Sequence, residues 1–274
     1  MSLLTADNHD TFPVSSLSIY DPMHLGIDEY GRMVELEMIY RNILIAGEPG
    51  AGKSVALANI VGHAALCTDC SLWLFDGKRV ELGLWRDVSD VFVGPDIEEA
   101  LYRLRQLQIE MDRRYTELDR VHRRKIVRTD PIPVILAIID ELALYSVTYG
   151  TKDQQEAFVR MVRDLVARGR AAGVIVVAAT QRPSADIIPT SLRDLFGYRL
   201  AFRCTTDSSS DIILGRGWAL QGYDASNIAP EDRGVGLLLA EGGIPRRIKS
   251  AYLTDADIYG LVDYARQLRR GRAA

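Results

Sequence analysis

Short apolar runs alternate with longer mixed stretches along most of this 274-residue chain. Ile43-Leu44-Ile45-Ala46, Leu72-Trp73-Leu74-Phe75 and Val91-Phe92-Val93 are apolar without alternation. Strands read this way when a sheet is covered on both faces. Residues 134–139 and 174–179 repeat the pattern, and Pro131 and Pro133 introduce the first of them. Shorter strands are expected near residues 199–202, 235–239 and 248–252. Elsewhere the period changes. Over residues 97–120, Leu101, Leu104, Leu107 (or Gln108), Met111, Tyr115 and Leu118 recur at three- and four-residue steps. That spacing predicts a helix, with Asp96 as its N-cap. Residues 55–61, 153–171 and 256–270 read as further helices. In residues 1–40, two short extended pieces (24–27 and 33–36) flank a turn at Asp28-Glu29-Tyr30-Gly31. Strand-helix alternation of this kind predicts an α/β fold with a mostly parallel central sheet and helices on both faces. The expected division is a lead-in, 1–40, packed on one domain, 41–274.

The segment after the first apolar run carries chemistry. Gly47-Glu48-Pro49-Gly50-Ala51-Gly52-Lys53-Ser54 fits G-x-x-x-x-G-K-[ST], the phosphate-binding loop of P-loop NTPases. It lies between an expected strand and an expected helix. There the backbone N–H groups converge on a phosphate, and the helix N-terminus adds a favourable dipole. Glycine serves where the backbone takes φ > 0 or approaches the phosphates closely. The cofactor site is therefore read as Gly47, Glu48, Pro49, Gly50, Ala51, Gly52, Lys53, Ser54 and Val55, with ATP and Mg2+ as ligands. Lys53 would reach the β- and γ-phosphates, and Ser54 would hold Mg2+. A glycine-rich structural turn is the competing reading, and the strand-loop-helix context weighs against it.

Two further strand ends fit the same chemistry. Residues 134–139 run into Asp140-Glu141, the Walker B pattern. Phosphoryl transfer needs one carboxylate for the Mg2+ shell and a group that orients the attacking water. Asp140 suits the first role and Glu141 the second, as general base or positioner. A helix N-cap carboxylate is the plainer alternative. Residues 174–179 end in Thr180-Gln181, and Gln181 is a candidate for contact with the γ-phosphate or the lytic water.

Composition changes this picture little. The chain is 47% hydrophobic and 26% charged, as ordinary globular proteins are. No apolar run reaches membrane-spanning length, since the longest, 131–147, is broken by Asp140 and Glu141. Residues 1–13 are polar, without the basic-then-apolar order of a secretory signal. A cytoplasmic protein is expected, with any membrane attachment supplied by a partner. The net charge of −4 does not advertise a nucleic-acid binder. Cys67 and Cys70, with His63 upstream, invite a zinc or redox reading, but structural zinc wants four ligands and no second pair exists. Reduced thiols near a helix end are the expected state.

Ala167-Arg168-Gly169-Arg170-Ala171-Ala172-Gly173, running into Ala179-Thr180-Gln181-Arg182-Pro183-Ser184, resembles the FtsK/SpoIIIE family of DNA translocase ATPases, within the HerA/FtsK superfamily. So do Asp140-Glu141 and Glu110-Met111-Asp112-Arg113-Arg114-Tyr115. Asp76-Gly77-Lys78-Arg79-Val80-Glu81-Leu82 is similar to the family's Asp-Pro-Lys…Glu-Leu stretch. Leu214-Gly215-Arg216-Gly217-Trp218-Ala219 and residues 233–240 look like the branch carried by conjugative elements of actinomycetes. The resemblance implies a RecA-like motor working as a homo-hexameric ring on double-stranded DNA, in conjugal transfer or DNA segregation. It also implies a membrane-protein partner as anchor. In the wider superfamily an arginine shortly before the glutamine strand reaches the neighbour's γ-phosphate. Arg170 holds that place here, with Arg168 as the alternative. Such an arginine stabilises transition-state charge in trans.

There are departures. Glu48-Pro49-Gly50-Ala51 stands where the family usually has Ala-Thr-Gly-Ser, while Gly47, Gly52, Lys53 and Ser54 stay. Neither the family's membrane-spanning region nor its winged-helix reader is expected in this sequence, so DNA contacts should be chiefly to phosphates. Arg113, Arg114, Arg120, Arg123, Arg124, Lys125 and Arg128 form the densest basic stretch, a candidate phosphate contact. A solvated helix end pairing with Glu110, Glu117 and Asp119 is the competing reading. Two other functions share the fold: a type VII secretion-like protein-export ATPase, and a non-motor P-loop switch. The Thr180–Ser184 string favours DNA over the first, and Asp140-Glu141 argues against the second.

Overall fold

The structure, a computed structural model, describes residues 16–270. The start of the expected lead-in, including the polar stretch 1–13, lies outside the described residues. Ten strands form one sheet: β1 (Met23–Asp28), β2 (Met33–Leu36), β3 (Ile43–Ala46), β4 (Cys70–Phe75), β5 (Val91–Val93), β6 (Val134–Ile139), β7 (Val174–Thr180), β8 (Tyr198–Phe202), β9 (Val235–Ala240) and β10 (Arg246–Ser250). Their order is β2-β1-β10-β9-β8-β3-β7-β6-β4-β5. From β8 to β5 every pairing is parallel. From β8 back to β2 every pairing is antiparallel.

The apolar strands of the parallel half are buried on both sides, as their composition requires. In β3, Ile43 and Ile45 face one core, and Leu44 and Ala46 face the other. The first core is covered by α1 (Lys53–Leu66) and α6 (Asp255–Arg270). The second is covered by α2 (Ile97–Arg120), α3 (Lys152–Arg168) and α5 (Asp207–Leu214), with the short α4 (Thr190–Arg193) beside them. Asp96 caps α2, accepting from Glu98 N at 2.9 Å and Glu99 N at 3.1 Å. Of the two alternatives on that helix, Leu107 is the core residue and Gln108 is only half-buried.

Parallel register brings five strand ends to one edge. Ala46 pairs with Thr180 and Ala201, and Ile139 pairs with Phe75 and Ala178. The loops after β3, β4, β6, β7 and β8 therefore open at the carboxyl edge of the sheet, where open α/β sheets bind ligands. The lead-in strands β1 and β2 continue the sheet through β10. The strand expected at 248–252 lies two residues earlier. Ser250 N still donates within this region, to Gly234 O at 2.9 Å, and Ala251 N donates to Leu25 O at 2.9 Å. Tyr252 then leaves the sheet and is exposed. Among the described residues no helix is long and apolar enough to cross a membrane.

Candidate functional site

The loop between β3 and α1 is shaped by one close contact and one left-handed turn. Gly52 has φ 124°, and a Cβ there would lie 2.5 Å from Gly234 Cα. Gly50 has φ 75°, the left-handed region that glycine adopts without strain. The N–H groups of Gly50, Gly52, Lys53 and Ser54 donate to no acceptor among the described residues. Four such donors at a helix N-terminus make a nest for an anion. The loop is tied down around them: Glu48 N donates to Arg203 O at 2.9 Å, and Gly234 N donates to Ala51 O at 2.9 Å.

Glu48, the departure from the family pattern, has a structural role. Its carboxylate pairs with Arg203 at 3.1 Å and accepts from Thr205 Oγ1 at 2.7 Å. It anchors the loop to the end of β8 rather than facing the nest alone. Neither Arg203 nor Thr205 was singled out by sequence, because nothing about the end of β8 marks it.

Lys53 and Asp140 meet in the interior. Lys53 Nζ lies 2.7 Å from Asp140 Oδ1, with the side chains 3% and 0% exposed. Lys53 also donates to Asp140 O at 3.1 Å. Asp140 Oδ2 is buried with no hydrogen-bond partner among the described residues. An orphaned buried carboxylate oxygen costs free energy unless something satisfies it, and a cation or its water would do so.

Glu141 is held from three directions. Oε1 accepts from Thr180 Oγ1 at 2.6 Å and from Ala143 N at 3.3 Å. Oε2 accepts from Gln181 N at 2.9 Å and lies 3.9 Å from Lys78 Nζ. The register explains this: β7 runs past the end of β6, so Thr180 stands beside the residue after Asp140. Lys78 is presented by a loop folded on the buried Asp76. That carboxylate accepts from the N–H groups of Lys78, Arg79, Leu82 and Gly83 at 2.8–3.1 Å. Thr180 was read only as part of a family string, and Lys78 likewise. Their contact with Glu141 depends on pairing between distant strands.

A cavity of about 390 Å³ opens beside these groups. Glu48, Gly50, Gly52, Lys53, Ser54, Val55 and Gln181 line it on the P-loop side, all of them expected. Arg233, Gly234, Lys249, Ser250 and Tyr252 line the other side. None of those five was expected in a site.

Arg170 lies apart from this cavity within the chain. It precedes β7, at the amino edge of the parallel strands. Its Nε donates to Tyr40 O, and its Nη2 lies 3.0 Å from Glu241 Oε2. Arg168 is bound more tightly, to Asp164 at 2.6 Å and Asp112 at 2.9 Å, and these hydrogen bonds push its guanidinium further up. The basic stretch is largely engaged with carboxylates. Arg113 pairs with Glu110, Arg120 with Glu117, Arg123 with Asp130 and Arg128 with Asp21. Arg114 is a core residue: buried against Glu110, it donates to the carbonyls of Ala172 and Pro133 at 2.9 Å. It cannot also contact DNA from that position. Cys67 closes α1 and is buried, and burial pushes its thiol up.

Residues 22–131 match the model of the FtsK/SpoIIIE family. The chain is 31% identical to the DNA translocase FtsK of Treponema pallidum over 274 residues, covering 89% of this chain and 31% of that protein. It spans about a third of the length of the curated relatives it matches. Among solved structures, it is similar to the pCW3 conjugation coupling protein TcpA, a monomer form with ATPgS. The TM-score is 0.73 at 21% identity, covering 91% of this chain and 71% of that one. It is also similar to EssC (ATPases 2 and 3) from Geobacillus thermodenitrificans. There the TM-score is 0.74 at 15% identity, covering 94% and 50%. These likenesses establish the α/β fold of P-loop ATPases.

Proposed function

The chain carries an FtsK/SpoIIIE family domain, and on that premise we propose that it is the ATP-hydrolysing motor of a double-stranded DNA translocase. The observation that carries the catalytic half is the buried constellation Lys53–Asp140–Glu141 with Thr180 and Gln181. The four unpaired N–H groups of the loop take phosphate oxygens. Lys53 is neutralised by Asp140 until a triphosphate competes for it. Ser54 and the buried carboxylate of Asp140 suit Mg2+, which would supply positive charge across the phosphates. Glu141, aimed by the Thr180 hydroxyl and the Gln181 N–H, accepts the proton of the attacking water. Gln181, lining the same cavity, positions that water or the γ-phosphate.

Arg170 is our choice for an arginine acting on a neighbouring subunit. Its side chain is held by the Tyr40 carbonyl and one exposed carboxylate, and the ion pair, typically worth about 0–1 kcal/mol, is one that a phosphate can replace. Arg168 has two carboxylates to leave. A homo-hexameric ring, as the family resemblance implies, would bring Arg170 to a neighbouring subunit's site. Arg170→Ala should bind ATP normally and hydrolyse it slowly, and mixing it with Lys53→Ala should restore part of the activity. Wild-type turnover in Arg170→Ala would remove it from the mechanism.

The fold does not choose the cargo, because a conjugation coupling protein and EssC are equally similar in shape. Sequence similarity to DNA translocases across most of the chain favours DNA. Conjugal transfer of a mobile element is our reading of the process, resting on residues 214–219 and 233–240. ATPase rate, measured with duplexes of increasing length and at rising salt, tests the proposal. Stimulation should grow with length, ignore base sequence and fall steeply with salt. No stimulation by any duplex, in an assembled ring, would favour a protein cargo instead.

A further inference from the structure

The cavity has two walls, and the P-loop is only one of them. On that wall the charges largely cancel. Lys53 is paired with Asp140 at 2.7 Å, and Glu48 with Arg203 at 3.1 Å. A nucleoside triphosphate brings several negative charges, of which Mg2+ would offset only part, so cations on the facing wall would favour it. The opposite wall has them. Arg233 and Lys249 line the cavity, are exposed and form no ion pair among the described residues. Most other arginines of the chain are engaged with a carboxylate.

The same wall carries an aromatic ring. Tyr252 is 73% exposed and lines the cavity beside Ser250. Ser250 is itself 5% exposed, and its hydroxyl has no hydrogen-bond partner among the described residues. An exposed ring next to a buried, unsatisfied hydroxyl on a cavity wall is poorly explained by packing. The wall is also rigidly keyed to the P-loop. Gly234 N donates to Ala51 O at 2.9 Å, Ser250 N to Gly234 O at 2.9 Å, and Asn59 Nδ2, from α1, to Ala251 O at 2.6 Å. Its position relative to the phosphate nest is therefore fixed.

We propose that this wall is the nucleoside half of the site: Tyr252 stacks on the base, and Arg233 and Lys249 supply the countercharge that the P-loop wall lacks. The inference rests on the nucleotide reading of the P-loop. A π-face accepts any base, so Tyr252 provides affinity for a base rather than a code for one.

Titration calorimetry of the full chain with MgATP and with magnesium tripolyphosphate separates the two walls. Tripolyphosphate has the charges and no base. Tyr252→Ala should weaken ATP about tenfold and leave tripolyphosphate unchanged, and Tyr252→Trp should restore ATP. Arg233→Ala with Lys249→Ala should weaken both ligands. Tyr252→Ala binding ATP as tightly as wild type would overturn the inference, as would equal losses for both ligands. Wild type binding neither ligand would overturn the nucleotide reading itself, which is a distinct result.

Discussion

In the parallel half of the sheet, β3, β6 and β7 end in residues that belong to recognisable motifs: the glycine-rich loop, Asp140-Glu141 and Thr180-Gln181. In the antiparallel half, Arg233 and Gly234 lead into β9, and Lys249 and Tyr252 lie at the end of β10. The first two stand in the family-branch string 233–240, and none of the four belongs to a nucleotide-binding motif. Both halves line one cavity. The difference follows from what each wall must do. A phosphate nest and a water-activating carboxylate require particular residue types at particular backbone angles, so they leave a pattern in sequence. A wall that supplies charge and a flat ring can be built in many ways, so it leaves none. The two halves touch at Gly52 and Gly234, where backbone meets backbone with no room for a side chain on Gly52.

The largest effects should come from the motif-bearing half. Lys53→Ala should abolish tight ATP binding. Glu141→Gln should keep binding and lower turnover by about a thousandfold, the scale of a general base and its positioning. Near-normal hydrolysis in Glu141→Gln would mean that water is activated elsewhere, and the contrast between the halves would lose its chemical side.

The contact between the halves comes next. Gly52→Ala places a Cβ 2.5 Å from Gly234 Cα, at a backbone angle that L residues rarely adopt. A loss of about 2–4 kcal/mol is expected, with ATP affinity falling alongside it. Denaturant unfolding, with and without MgATP, measures both. If stability drops and ATP affinity does not, the walls are joined structurally but do not cooperate in binding.

This contact also marks where sequence reasoning runs out. The strands of the parallel half were legible because they are buried on both faces, and uniform burial selects uniform apolar runs. The P-loop side of the cavity was legible through its glycines. Thr180 and Lys78 were visible only as letters of a family string, because their meeting with Glu141 depends on strand register. The second wall was not legible as part of a site: Arg233 and Gly234 stood only in the string 233–240, and Gly234 reaches Ala51 across more than half of the chain. The basic stretch stayed ambiguous for a related reason. Counting cations along a helix cannot tell that Arg114 is buried on three backbone carbonyls and Glu110, or that Asp130 and Asp21 come from outside the helix to pair with Arg123 and Arg128.

The parallel half has a fastening of its own at the opposite edge, and it should be pH-dependent. Arg113 and Arg114 hold Glu110 down at about 2, from an ordinary 4.5. Because the folded value lies below the unfolded one, the stabilisation is complete above about pH 4.5 and fades as pH falls toward 2. Glu110→Gln should cost about 2 kcal/mol at neutral pH, since buried Arg114 loses its carboxylate. Urea titrations should find the gap to wild type closing between pH 4.5 and 2. A gap constant across that range would mean that the loss is one of packing rather than of charge.

The smallest effect is expected from the basic residues that sequence first offered as the DNA contact. Arg120 and Glu117 are both well exposed, so removing that pair should change stability by no more than about 0.5 kcal/mol. Arg123 is held by Asp130 through two hydrogen bonds of 2.6 and 2.7 Å. Arg124 and Lys125 form no ion pair among the described residues, although Lys125 lies 4.3 Å over the Tyr40 ring. Each phosphate contact adds about 0.9 to the salt slope of duplex binding. Replacing Arg120, Arg123, Arg124 and Lys125 together should therefore lower that slope by at most about two, where four free contacts would give three to four. A drop of the full size would mean that DNA displaces Asp130 and Glu117 from their arginines. The ion pairs seen here would then be the resting state of a DNA-binding face. An unchanged slope would leave the cluster as a solvated helix end and move the phosphate contacts to other loops.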